Sequence, residues 1–190
     1  MTLSVLRTLC SRHFTFSDLV ECGATWRRLD GAGHGVTNLP TQAATWIAIA
    51  ELSQNILDPL LDHYGSVDLT YGFAGPSLTR HIRSGIAPLL DQHAGCERRA
   101  GGLPVCDRLG QACDLRVPGI GSFEVARWIY DHLSFDRLYL YGDHRPLHVS
   151  YGPDRSANVC AMIRRGEHVV PRKLRFAEWE HLASLFAGTG

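Results

Sequence analysis

Apolar positions recur at helical spacing in one long segment and alternate in several short ones. Between Thr41 or Gln42 and Tyr64, the residues Ala43, Trp46, Ile47, Ala50, Leu52, Ile56, Leu57, Leu60 and Leu61 form a wide apolar face. That spacing predicts the main helix of the chain. Pro59 should kink it or begin a new turn, and Gly65 should end it. Upstream, Phe14 to Asp18 reads as a helix start: Ser17 caps, Asp18 suits the positive helix end, and Phe16 staples onto the first turn. Leu19, Val20 and Trp26 carry the apolar stripe to about Leu29, and the Gly-rich stretch 30–40 breaks it.

Downstream the period changes. Val67 to Tyr71 alternates and reads as a strand, and Gly72 to Pro76 as a turn. Ser77 then caps a short helix through Leu78 and Ile82 toward Ile86. From Gly85 to Pro104 the chain is polar, Gly-rich and basic, which predicts a long surface loop. Strands follow at 111–117, 137–141, 147–151 and 157–164, with a helix at 123–132 capped by Ser122. An amphipathic helix over about 176–187 closes the chain. Helices first and strands later, joined by short turns, predict an α+β fold: a single domain over 1–190 with a small antiparallel sheet and helices packed on it.

Composition narrows the function classes. Formal net charge is zero with a pI near 7.1, so nothing calls for a polyanionic partner and nucleic-acid binding gains no support. The six cysteines are scattered and no CxxC occurs, which argues against a zinc ribbon and for free thiols in a reducing compartment. No signal peptide and no apolar run of membrane-spanning length stand out, so the expectation is a cytoplasmic protein with no membrane partner.

The candidate chemistry centres on Asp107-Arg108-Leu109-Gly110-Gln111-Ala112-Cys113-Asp114 and on His148. Asp107, Asp114 and His148, converging from a loop and two strands, would make a metal site. The competing reading has Asp107 solvated, Asp114 bonded to a turn and His148 satisfied within its strand. Asp143 and His144 are candidate general bases if the turn before His148 folds over the site, and Arg145 a candidate cation for an anionic group; a plain solvated turn is the alternative. His81 and His93 read as surface residues, with a substitute-ligand role as the lesser alternative. A thiol beside carboxylates is a poor nucleophile, and Cys113, alternating with Ala112 and Asp114, is expected in the core.

The order of these motifs resembles the M15 metallopeptidase family, the zinc D-Ala-D-Ala carboxypeptidase and phage endolysin group with the Hedgehog/DD-peptidase fold. Phe14-Thr15-Phe16-Ser17-Asp18 is similar to its opening helix start. Asn55-Ile56-Leu57-Asp58-Pro59-Leu60 is similar to its Asn-x-Leu-x-Pro-Leu helix end. Gly72-Phe73-Ala74-Gly75-Pro76-Ser77-Leu78 fills the slot of Ser-Gly-Tyr-Arg-Ser-Pro. Asp107 to Asp114 echoes the metal motif His-x-x-Gly-x-Ala-x-Asp, and His148-Val149-Ser150 matches the last ligand motif. The likeness covers roughly Phe14 to Arg165.

The departures are equally specific. The first metal His of the family is Asp107 here, its substrate-holding Arg is Ala74, and the acidic base three residues before the last His is Arg145. The resemblance implies a divergent metal-dependent hydrolase with one divalent metal at Asp107, Asp114 and His148, acting on a peptide or small anionic substrate. A carboxylate in place of an imidazole hardens the site, favouring Mn or Fe over Zn. Two alternatives stay open: a catalytically inactive binding module for a peptide, glycan or protein, and a nucleotide- or nucleic-acid-acting protein of a phage-related system.

Overall fold

Pro59 shapes the central helix. Proline has no N–H to donate and its ring collides with the carbonyl four residues back. The chain answers with a π-helical turn, Ser53–Leu57, between α4 (Ala43–Leu52) and α5 (Asp58–Tyr64). The Asp58 amide reaches back five residues, to the Ser53 carbonyl. Gly65, in the left-handed conformation at φ 78°, ends α5. The predicted helix is therefore one run from Ala43 to Tyr64 with a widened turn at Pro59 rather than a break.

The computed structural model describes residues 3–82 and 87–186. Around α4 and α5 lie α1 (Leu3–Leu6), α2 (Phe16–Val20) and α3 (Ala24–Gly31), then β1 (Asp68–Tyr71), α6 (Pro76–Thr79) and β2 (Gln111–Arg116). These are followed by α7 (Ser122–His132), β3 (Arg137–Leu140), β4 (Leu147–Tyr151), β5 (Asn158–Arg165), β6 (His168–Lys173), a 3-10 turn (Phe176–His181) and α8 (Leu182–Phe186). The predicted first helix is split in two, and Thr15 rather than Ser17 caps its start, with the Thr15 amide donating to Asp18 Oδ2 at 2.7 Å. The expected end of the short helix near Ile86 lies outside the described residues. No helix among the described residues is long and apolar enough to cross a membrane.

The fold is α+β, with one six-stranded sheet in the order β1-β2-β4-β3-β5-β6. The sheet is mixed, not purely antiparallel, because β3 and β5 run parallel. Asp136 explains how. It sits fully buried at the entry to β3, and its carboxylate accepts from the Ser156 amide (3.1 Å) and hydroxyl (2.6 Å), while its carbonyl accepts from the Asn158 amide. These bonds fold the short connection 152–157 past the end of β3, so β5 enters on the far side. Strand β6 carries no alternating burial and contains Pro171; it pairs with β5 alone at the sheet edge, the one place where proline costs no ladder bond.

Alternation along the strands gives the sheet two different faces. Cys113, Leu115, Leu138, Leu140, Leu147, Val149, Val159 and Ala161 point into the main core with Ile49, Leu52, Ile56, Leu60, Val125 and Ile129 from the helices. All six cysteines are free thiols. The other face carries Asp114, His148, Tyr139 and Cys160, as the strand registers require.

The segment expected to be a surface loop is stitched into the molecule. Asp91, Gln92, His93, Ala94 and Glu97 are buried. Glu97, 1% exposed, accepts from the Thr41 amide (2.9 Å), the Gln42 amide (3.0 Å) and the Thr45 hydroxyl (2.8 Å) at the start of α4, and also from the Thr41 hydroxyl. Gln92 donates to Asp136 Oδ2 (2.8 Å) and the Leu109 carbonyl (2.6 Å) and accepts from the Ser150 hydroxyl (2.8 Å). These partners are far away in sequence, so polarity alone gave no sign that the segment is a buried strap.

Replacing Glu97 with Ala leaves several buried donors unmet. It should cost about 2–4 kcal/mol and lower the midpoint of thermal unfolding by roughly 5–15 °C, read by circular dichroism.

Candidate metal centre

Four side chains stand in a row across the sheet. Tyr71 on β1 opposes Asp114 on β2, Asp114 opposes His148 on β4, and His148 opposes Tyr139 on β3. Opposed residues share a face, so the row lies on the side away from the main core. Tyr71 reaches its place through a register irregularity: Leu69 faces Leu115, yet Tyr71, not Thr70, faces Asp114. Strand β2 can start where it does because Gly110, at φ 79°, presses against β4. A Cβ there would lie 2.3 Å from the Tyr151 carbonyl oxygen.

His93 completes the cluster from the buried strap. Its Nε2 lies 3.3 Å from Asp114 Oδ1, and His148 Nδ1 lies 2.9 Å from the same oxygen. One ligand atom from each of the three residues falls within 4.8 Å of the others. The two imidazoles meet edge to face at 5.0 Å, and Tyr139 lies flat against His148 at 4.7 Å. Both histidines are almost fully buried (2% and 1% exposed), whereas the Asp114 side chain keeps 26% of its surface. The centre is therefore open on the Asp114 side.

Hydrogen bonds define what these atoms can do. His93 Nδ1 donates to the Gly72 carbonyl at 2.8 Å, and a carbonyl only accepts, so the proton is assigned to Nδ1. The neutral ring then turns a lone pair at Nε2 toward a carboxylate oxygen. Two acceptors at 3.3 Å require a positive charge between them, either a proton or a metal ion. On the other ring, His148 Nε2 is buried with no partner. Burial opposes the charged form of His93, but the charge and hydrogen bond of Asp114 outweigh it and raise the pKa. Burial likewise opposes the charged form of Asp114, yet the two histidines hold its carboxyl well below the usual carboxylate range. The pocket is thus built around a permanent negative charge.

A tetrahedral zinc bonded to N and O at about 2.0–2.2 Å has ligand–ligand edges of roughly 3.3 Å. The separations of 3.3 and 2.9 Å lie near such edges and the third ligand atom falls within 4.8 Å, while the Gly72 carbonyl is the kind of outer partner that fixes a ligating histidine. The residues present fit one divalent ion.

Of the residues singled out from the sequence, Asp114 and His148 come together and Asp107 does not join them. Asp107 is exposed in a turn that ends before the left-handed pair Leu109 and Gly110, which aim the chain into β2. His93, read from sequence as a surface residue, stands in its place. Asp143 is committed to α7: its Oδ1 accepts from the Phe123 amide (2.9 Å) and its carbonyl from the Ser122 amide (2.8 Å). His144 and Arg145 are exposed, and the Arg145 carbonyl accepts from the Ser122 hydroxyl. None of these three belongs to the metal cluster, because the β3–β4 turn folds against the start of α7. Ala74 lies buried beneath the strap, its amide donating to the His93 carbonyl. Cys113 is in the core, as expected. No family model, no curated protein and no solved structure matches this chain.

The purified protein should bind one Zn per chain by elemental analysis. His93→Ala and Asp114→Ala should weaken binding by more than about 100-fold, while Asp107→Ala stays within about twofold of wild type. Loss of metal from Asp107→Ala alone would reverse the assignment.

Proposed function

We propose that this chain is a metal-dependent hydrolase of the M15 peptidase type, on a Hedgehog/DD-peptidase-like scaffold, acting on a peptide or small anionic substrate. One observation carries the reading: a second imidazole, His93, meets Asp114 and His148 although the sequence lacks the motif histidine at Asp107. Two imidazoles and one carboxylate form a borderline donor set, used by catalytic zinc sites and by Fe(II) facial triads alike, and softer than the two carboxylates and one imidazole expected from the sequence. When bound, such an ion lowers the pKa of a coordinated water and polarises a scissile carbonyl.

The chain's own groups supply the rest. Gly72 orients His93 through its carbonyl, and Tyr139 packs the outer face of His148. Tyr71 sets its ring edge-on to His93 at 4.7 Å, and its hydroxyl is buried without a partner, a donor free for a developing oxyanion. Asp91 is the candidate assigned to the missing base, two residues before His93 and 7% exposed. Its Oδ1 accepts from the His93 amide (3.3 Å) and its Oδ2 from the Ala87 amide (2.6 Å), which fix the carboxylate beside the strap histidine. A second reading, a binding module without turnover, draws support from Ala74 and Arg145 in the slots where the M15 pattern has its Arg and its base.

Zinc-loaded protein should release the terminal residue from peptidoglycan-type peptides. Asp114→Ala should abolish the reaction, and Asp91→Asn and Tyr71→Phe should each lower kcat by about 10–10³-fold with metal content unchanged. Peptide binding by calorimetry with no hydrolysis under any metal would leave the binding-module reading instead.

A further inference from the structure

The metal face of the sheet continues past Tyr139 into a cluster of cations. Tyr139 opposes Cys160 on β5, Cys160 opposes Lys173 on β6, and Arg137 lies two residues before Tyr139 on β3. All therefore share the face of His148 and Asp114. Arg108 reaches in from the turn before β2, donating to the Tyr139 hydroxyl at 2.9 Å and to the Leu90 carbonyl of the strap. Register sets Lys173 beside Cys160 and Cys160 beside Tyr139, and Arg108 bonds that tyrosine, so the three positive charges flank one stretch of the face; burial raises the Cys160 pKa against their pull.

One N–H of the central cation is unsatisfied, although the Arg137 side chain as a whole is only half-buried. Arg137 Nε is buried and has no hydrogen-bond partner, and among the described residues no acidic side chain pairs with Arg137 or Lys173. A desolvated guanidinium N–H without an acceptor is costly and is usually matched by a protein or ligand oxygen. The guanidinium fork fits a carboxylate or a phosphate in two parallel bonds. Strand spacing of about 5 Å and a two-residue step of about 7 Å put Arg137 within roughly 10 Å of the metal cluster, the length of two or three peptide units.

We infer that Arg137, flanked by Lys173 and Arg108, is an anion-binding subsite that holds a carboxylate or phosphate group of the substrate while the scissile bond lies at the metal cluster. The cluster supplies the cation that the Ala74 slot lacks, from strands β3 and β6 and the turn before β2. The subsite deepens the hydrolase reading, and its role in the substrate rests on that reading, but its anion binding is measurable without turnover.

Inorganic phosphate and acetate are titrated into the full chain, zinc-loaded and after chelation, and followed by calorimetry. Saturable binding that survives chelation is expected, weakened at least tenfold in Arg137→Gln and several-fold in Lys173→Gln, with Arg165→Gln as an exposed control unchanged. Lys173 is exposed, so that variant tests the subsite even if Arg137→Gln does not fold. Phosphate bound much more tightly than acetate identifies a phosphorylated substrate; comparable binding identifies a carboxylate. Binding that disappears with the metal, or that is equal in wild type, Arg137→Gln and Lys173→Gln, overturns the subsite. Anion binding without zinc binding removes the hydrolase reading and leaves the subsite, whereas zinc binding without anion binding removes the subsite alone.

Discussion

Asp114 is a carboxylate on the second strand of a sheet, held ionised between two buried imidazoles. A charge so placed is unfavourable unless positive groups or donors meet it. Strand register supplies one partner directly, since His148 lies straight across from Asp114. The other must be delivered from outside the sheet. The arrangement of the strap follows from that requirement: His93 has to arrive at one point, with one ring nitrogen forward and the other tied back to Gly72.

The strap meets the requirement through polar bonds rather than apolar packing. Glu97 ties its far end to the start of α4, and Gln92 ties its near end to Ser150 and Asp136. Asp136 also folds the connection that makes β5 parallel to β3. One buried network therefore joins the sheet's mixed topology to the position of His93. Such networks specify a geometry strongly, because a half-satisfied member is worse than an apolar one.

The chemistry is concentrated on one face, and the same alternation that makes the core makes the site. Leu138 and Leu140 turn into the core while Arg137 and Tyr139 turn to the metal face. Moving outward from Asp114, that face passes from a negative centre, through the tyrosine that covers His148, to the cations around Cys160. A polarised surface of this kind suits a substrate with an electrophilic bond at one end and an anionic group at the other.

The sequence by itself determined the elements whose signals are local. Apolar spacing placed the long helix and Pro59 its irregular turn, alternation placed β1 and short segments between turns placed β2 to β5, and Asp114 and His148 were legible as a pair because each sits in a strand with a motif around it. It also directed attention to Asp107, since spacing along the chain says nothing about which way a turn faces. Asp143 was read as a candidate base for the same reason, although its carboxylate caps α7. Only the tertiary structure decided the third ligand. His93 lies in a stretch without periodicity, and its burial comes from Glu97 and Gln92 bonding to partners 44 to 58 residues away. The exposed edge strand β6 and the parallel pairing of β5 were hidden for a related reason. Both depend on which strand lies alongside, a choice set by long-range hydrogen bonds rather than by the pattern within the segment.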